Sequence, residues 1–229
     1  MKNTNNFFSR KHPWLIVIYM IFYLSGFALL EQCTPGSFHL IHLPGDDLIP
    51  FCEYFIIPYV LWFVYIAAVV IYFTFFNKNV GEYWRVIITL CIGMTLFLFV
   101  SWIYPNGHDL RPETFARDNI FTQMVQMLYT ADTSTNILPS IHVFNSVAVA
   151  IALEKCQALK GRRILRKSAD ILSFLIVLST MFLKQHSLMD VMCALALNVV
   201  VYMLVYVPVQ RRSALPKHQN AGIRRILSE

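Results

Sequence analysis

The sequence predicts an all-α polytopic membrane protein, and three observations carry that expectation. Of its 229 residues, 57% are hydrophobic and 14% charged, with a mean hydropathy of +0.54, too apolar and too thinly charged for an ordinary soluble domain. The apolar residues fall into about six stretches, each close to the ~20 helical residues that cross ~30 Å of hydrocarbon. The basic residues gather in alternate connections between those stretches, as they do when one face of a membrane retains them.

The first stretch, near 14–30, follows Arg10 and Lys11 and runs into Glu31-Gln32-Cys33 without a small-residue cleavage site. It is therefore expected to be a retained helix and not a signal peptide. The connection 31–50 holds Glu31, Asp46 and Asp47, no basic residue, and turn signals at Pro35-Gly36 and Pro44-Gly45. Its Phe38, Leu40, Ile41 and Leu43 fit a segment lying on the bilayer or over a cavity, and fit a plain connection equally well. Further spans are expected near 51–76 and 86–104.

The connection 105–138 opens with Pro105-Asn106-Gly107 and Arg111-Pro112. An amphipathic helix is expected near 113–129, where Phe115, Ile120, Phe121, Met124, Val125 and Leu128 mark one face that would lie in the membrane interface. The fourth span, near 139–154, carries Ser140, His142, Asn145 and Ser146, so it must face protein or a water-filled cavity. The last two lie near 169–185 and 188–207. With no internal repeat or linker, residues 1–210 read as one six-helix domain, and 211–229 as a basic, disordered cytoplasmic tail.

An even number of spans puts all but Arg111, Arg117 and Lys184 of the 19 basic residues on one face, which is then cytoplasmic along with both termini. The net charge of +6 belongs to that topology and to anionic lipid headgroups, not to nucleic acid. Of five cysteines, Cys91 and Cys193 fall in expected spans and Cys156 at a cytoplasmic edge, where buried or reduced thiols are expected. Cys33 and Cys52 flank the first outer loop, where an oxidising compartment would allow them to pair.

Two runs on the outer face carry chemistry: Pro139-Ser140-Ile141-His142 and His186-Ser187-Leu188-Met189-Asp190. Ionisable groups are expensive near lipid and mark a functional site by default. On a helix, His186 and Asp190 stand at i, i+4, so the carboxylate can fix the imidazole tautomer and leave the other ring nitrogen free to attack. His142 follows a proline suited to a helix start and a serine able to hold an anion at the helix N-terminus; its imidazole suits a general acid near neutral pH. Arg111 and Lys184 would clamp a doubly charged group. Together these residues describe phosphoryl transfer through a phosphohistidine. An HxxxD pair alone arises often by chance, and His12, His39, His42, His108 and His218 read as ordinary solvated or hydrogen-bonded edge residues. No further His/Cys/Asp cluster has zinc-ligand spacing.

Taken in order, these elements resemble the signatures of the type 2 phosphatidic acid phosphatase superfamily: Lys-x6-Arg-Pro, Pro-Ser-x-His and Ser-Arg-x5-His-x3-Asp. The chain matches the second completely at 139–142, the third at Ser179, His186 and Asp190, and the first at Arg111-Pro112. Tyr104 stands where the first signature has lysine and Thr180 where the third has arginine. Lys184 is a candidate replacement cation, and the Lys-Gln-His-x3-Asp ending is similar to the inositol phosphorylceramide synthase-like branch. The signatures cover roughly residues 104–190; the earlier part matches only in span count.

The resemblance implies a six-helix core with an extracytoplasmic site. It assigns His186 as nucleophile, Asp190 as its orienting group and His142 as acid, with Arg111 and Ser140 on the phosphate oxygens. No metal or other cofactor is implied, and the partners are a lipid phosphate and membrane lipids. The expected activity is hydrolysis of a lipid phosphate monoester or diphosphate. One alternative is transfer of the phosphoryl or phospho-headgroup to a lipid alcohol; another is a non-catalytic lipid-binding protein of the same fold.

Overall fold

The computed structural model describes residues 7–32 and 38–208. The expected Cys33–Cys52 pairing and the disordered tail fall, through Cys33 and residues 211–229, outside that set, as does His218. The described residues form seven α-helices and one two-stranded sheet of two residues per strand, a small departure from an all-α chain.

Helix α1 (Pro13–Gln32) starts on a proline at its first position, where the missing N–H costs nothing. It is apolar all round and buries only Tyr23, packing mainly on α3, as suits a helix whose other faces meet lipid. A 3-10 turn (Glu53–Phe55) leads into α2 (Ile56–Ile71), which continues as a π-helical turn to Phe76. Helix α3 (Val80–Ile103) is capped by Asn79, whose side chain accepts the Glu82 N–H at 3.2 Å. It thus begins six residues before the expected position 86, and Arg85 lies in the helix and not in a loop. Hydropathy missed that polar first turn because a helix can start in the headgroup region before its apolar run begins.

The amphipathic helix exists but is shorter and later than expected: α4 spans Ile120–Ala131, not 113–129. Asn119 sets its start, accepting from the N–H groups of Phe121 and Thr122 while Thr122 Oγ1 accepts from the Asn119 N–H, a reciprocal capping box. Helix α5 (Ile141–Lys155) follows, then α6 (Arg163–Phe182) and α7 (Leu188–Val205).

Helix α5 occupies the centre, packed against α2, α3, α6 and α7. Gly93 of α3 admits the Phe144 ring of α5, for a β-carbon there would lie 2.0 Å from Phe144 Cε1. Backbone on or beside α5 satisfies part of its buried polar content: Ser146 Oγ donates to the His142 carbonyl (2.6 Å), and Ser173 Oγ of α6 donates to the Ser146 carbonyl (2.8 Å). Small residues and side-chain hydrogen bonds of this kind hold helices together where lipid removes the hydrophobic drive.

Loops collect at two ends. At one, the Lys11 ammonium caps the carbonyls of Phe73, Thr74 and Asn77, and Glu82 joins the Asn77 side chain to the Gln157 N–H. At the other, Glu31 accepts from the Asn136 amide (3.0 Å) and the Cys52 N–H donates to the Phe182 carbonyl (3.0 Å). Strand β1 (His39–Leu40) runs parallel to β2 (Asn106–Gly107) there, tying the loop between α1 and α2 to the long connection. Among the described residues, four helical segments are long and apolar enough to cross a membrane: Pro13–Gln32, Glu53–Phe76, Val80–Ile103 and Leu188–Val205. Helix α5 has 15 residues, and α6 carries Arg163, Arg166, Lys167 and Asp170 at its start.

Candidate functional site

Three segments converge on the β1–β2 end. The first is the turn between α6 and α7. The N–H groups of Leu183 and Lys184 return to the carbonyls of Ser179 (2.9 Å) and Met181 (3.0 Å), and those of Gln185 and His186 share the Thr180 carbonyl (2.9 and 3.1 Å). Lys184 adopts the left-handed conformation (φ 53°) with which helices commonly close. Ser187 then caps α7: its hydroxyl accepts from the Met189 N–H (3.2 Å), and Asp190 Oδ2 accepts from the Ser187 N–H (2.9 Å).

His186 therefore precedes the helix cap instead of riding on α7, yet its Nδ1 still lies 3.4 Å from Asp190 Oδ2. That separation exceeds the ~2.7–2.9 Å of a charge-assisted hydrogen bond; the carboxylate's shorter bond goes to the helix cap. The Ile137 carbonyl is a second acceptor beside the ring. Burial, reinforced by the Arg111 charge, pushes the His186 imidazole down to about 3. At neutral pH it is uncharged, with one N–H and one free lone pair. A proton on Nδ1, facing Asp190, leaves Nε2 as the nucleophilic atom.

The second segment opens α5. Pro139 stands two residues before the helix and not in its first turn; Ser140 is the cap, accepting from the Val143 N–H at 3.4 Å. The Ser140 N–H in turn reaches the Asp190 carbonyl at 3.4 Å, which brings the N-termini of α5 and α7 side by side. His142 packs against the rings of Tyr59 (4.7 Å between centroids) and Trp62 (4.3 Å), and its ring centre lies 5.7 Å from that of His186. Its Nδ1 is buried without a partner.

The third segment is the long connection. The Arg111 guanidinium lies 4.4 Å over the Tyr129 ring and donates to the carbonyls of Tyr129 (3.2 Å), Asp132 (2.8 Å) and Thr133 (2.9 Å) and to Gln185 Oε1 (2.7 Å). It is thereby fastened both to the C-terminal end of α4 and to the turn that carries His186.

The expected site residues do not all meet. Arg111, Ser140, His142, His186 and Asp190 come together, but the Lys184 ammonium donates to the Asp46 carbonyl (2.7 Å), on the loop between α1 and α2. Its partner there replaces the phosphate clamp with Arg111 that the sequence suggested. Tyr104 stacks on His39 at 4.2 Å, and the Thr180 hydroxyl donates to the Val177 carbonyl, so neither position supplies a cation.

Three neighbours escaped sequence reasoning. Asp46 accepts from the Leu43 N–H (2.8 Å), the Ser187 hydroxyl (2.6 Å) and the Leu188 N–H (2.7 Å). Burial raises its pKa, but these bonds outweigh burial and hold it below the usual carboxylate value. These bonds pin the loop at 38–50 to the start of α7, so it is more than a plain connection. His108 is buried, 2% exposed, and not an edge residue: its Nε2 bonds the Gln185 carbonyl (3.0 Å) and its Nδ1 accepts the Leu110 N–H (3.1 Å). Gln185 completes the set. Only the residue's adjacency to His186 hinted at it, and nothing in hydropathy separates His108 from an exposed histidine.

Compared with protein-family models, with curated proteins and with solved structures, the chain matches none.

Proposed function

We propose that this protein is a membrane-embedded phosphatase that cleaves a lipid phosphate monoester or diphosphate through a phosphohistidine, without a metal. The observation that carries this reading is the meeting of His186, His142 and Arg111 from three segments distant in sequence, with buried polar atoms left unpartnered on Arg111, His142 and Asp190. Buried polar groups are normally satisfied, and a cluster of exceptions calls for a ligand.

In the first step His186 Nε2 attacks phosphorus while the bond from phosphorus to the lipid oxygen breaks, and His142 gives that oxygen its proton. In the second, water attacks phosphorus, the P–N bond breaks, and the water proton passes to His142, which restores the acid. Arg111 and the Ser140 hydroxyl hold the non-bridging oxygens, while Asp190 keeps the proton on Nδ1. Fixed charges and orientation supply most of the catalysis in phosphoryl transfer.

We further assign six crossings, with the site outside and both termini in the cytoplasm. The N-termini of α5 and α7 lie together, so α6 must traverse the bundle between them, and the basic residues Lys11, Lys78, Arg85, Lys155, Lys160 and Arg163 collect at the opposite end. Helix α5 can be short because protein surrounds it on every side.

Release of inorganic phosphate from phosphatidate, a polyprenyl diphosphate, phosphatidylglycerophosphate and sphingosine phosphate, with EDTA throughout, tests the activity. His186→Ala is expected to lower turnover by several orders of magnitude, as loss of a nucleophile does elsewhere. Turnover that survives His186→Ala, or that EDTA abolishes, rejects the mechanism.

A further inference from the structure

Gln185 has a polar atom that its surroundings leave with nothing to do. Its side chain is 2% exposed, and Oε1 is committed to Arg111 Nη2 at 2.7 Å, which fixes the amide: turning it over would set an NH2 donor against a guanidinium donor. Nε2 is thereby held on the other side, buried and without an acceptor. Arg111 Nε, on the side chain hydrogen-bonded to it, is buried and unpartnered as well. Two donors on two joined side chains, both lacking acceptors, ask for a shared acceptor of negative charge. The residue carrying one of them immediately precedes His186, and the N–H groups of both residues share the Thr180 carbonyl.

Resting on the phosphatase reading above, we propose that Gln185 binds the substrate's phosphoryl group directly, donating from Nε2 to a non-bridging oxygen beside Arg111 Nε. The amide takes a place that a second cation would otherwise fill, since Tyr104 and Thr180 are neutral and the Lys184 ammonium is engaged by the Asp46 carbonyl. The same bond to Arg111 makes Gln185 the strut that holds the guanidinium against the His186 turn. A neutral donor there binds a phosphoryl oxygen without adding a charge that would have to be buried in the empty site.

The test uses the full chain in detergent micelles, with calorimetric titration of inorganic phosphate and of dioctanoyl phosphatidate, and dioctanoylglycerol as the control without phosphate. Gln185→Glu keeps the shape and still accepts from Arg111 but replaces the free donor with an anion; Gln185→Met removes the donor without adding charge, and serves if the glutamate variant fails to fold. A Kd at least tenfold weaker for both phosphate probes, at an unchanged thermal midpoint, is the expected result. Phosphatidate binding tighter than inorganic phosphate in the unaltered protein identifies the lipid headgroup as the ligand; equal affinities identify free phosphate; either outcome, joined to that weakening, supports the proposal. A folded variant that binds both probes as the unaltered protein does overturns it, as does weakening confined to phosphatidate, which would place Gln185 on the glycerol side. Turnover by the unaltered protein that His186→Ala abolishes leaves the phosphatase reading standing even then; absence of both turnover and phosphate binding sinks the two together.

Discussion

His108 and His186 are both neutral, buried imidazoles, and they give the molecule a signed response to acid. Burial, then coupling to a protonated His186 and the Arg111 charge, push His108 down to about 3, and burial with Arg111 does the same to His186. In the unfolded chain each would take up a proton near pH 6.5. Between those values the unfolded state binds more protons, so stability is complete above about pH 6.5 and drains away as pH falls toward about 3. His108→Ala is expected to make that acid limb shallower. At neutral pH it should also cost about 1–3 kcal/mol, because the Gln185 carbonyl and the Leu110 N–H lose their partner inside the protein. Thermal midpoints of the two proteins between about pH 4 and pH 8 check both parts; an acid limb identical in the two would reject the assignment. At this scale His186, His142 and Arg111, which the fold brings together, are legible in short motifs, because the proposed chemistry would demand those residue types at those spacings. Gln185, His108 and Asp46 are not legible, since His108 and Asp46 satisfy particular backbone groups, and Gln185 meets a guanidinium, that only the folded chain brings near.

The helix starts are where local sequence has most to say, and α4 shows both what it can say and what it cannot. Asn119 and Thr122 form a reciprocal box that fixes the first turn, a signal present in the sequence but overridden by the apolar spacing that Phe115 lends to residues 113–119. Phe115 is apolar for another reason: it packs beside Phe51 and Tyr129, under the connection. Asn119→Ala is expected to cost about 1 kcal/mol from the lost cap. It should also lower turnover, because α4 carries Tyr129, whose ring and carbonyl seat Arg111; a variant with the lower thermal midpoint but full kcat/KM would separate α4 from the site. The contact between α3 and α5 is tighter. With a β-carbon at residue 93 only 2.0 Å from the Phe144 ring, Gly93→Ala forces α5 away two residues from His142, at a cost of about 1–3 kcal/mol for overpacking. Adding Phe144→Leu should return part of that loss, and a double variant no more stable than Gly93→Ala alone would rule out this contact as the cause.

Over the whole molecule, helix direction does what hydropathy cannot. By length and composition α1, α2 with its flanking turns, α3 and α7 qualify as crossings, whereas α5 rises only about 22 Å over its length and α6 starts among charges. A test of helix length and charge passes over these two because a helix enclosed by others, as α5 is, needs no full-length apolar surface, and because basic side chains like those at the start of α6 can reach back to headgroups. Yet the Cys52 N–H meets the Phe182 carbonyl at the site end, while Arg166 pairs with Glu154 (3.0 Å) at the other. Helix α6 must then run the depth of the bundle, and α5 must run back beside α7. Six crossings put residue 118, before α4, on the outer side and residue 160, between α5 and α6, in the cytoplasm; four crossings without α5 and α6 would put both outside. Both residues are exposed. In a chain whose native cysteines are replaced by alanine, Asp118→Cys should react with a membrane-impermeant maleimide in intact cells, and Lys160→Cys only after permeabilisation. Labelling of both in intact cells would leave α5 and α6 folded down from one side, and would move the basic face of the bundle away from the cytoplasm on which the orientation of the site depends.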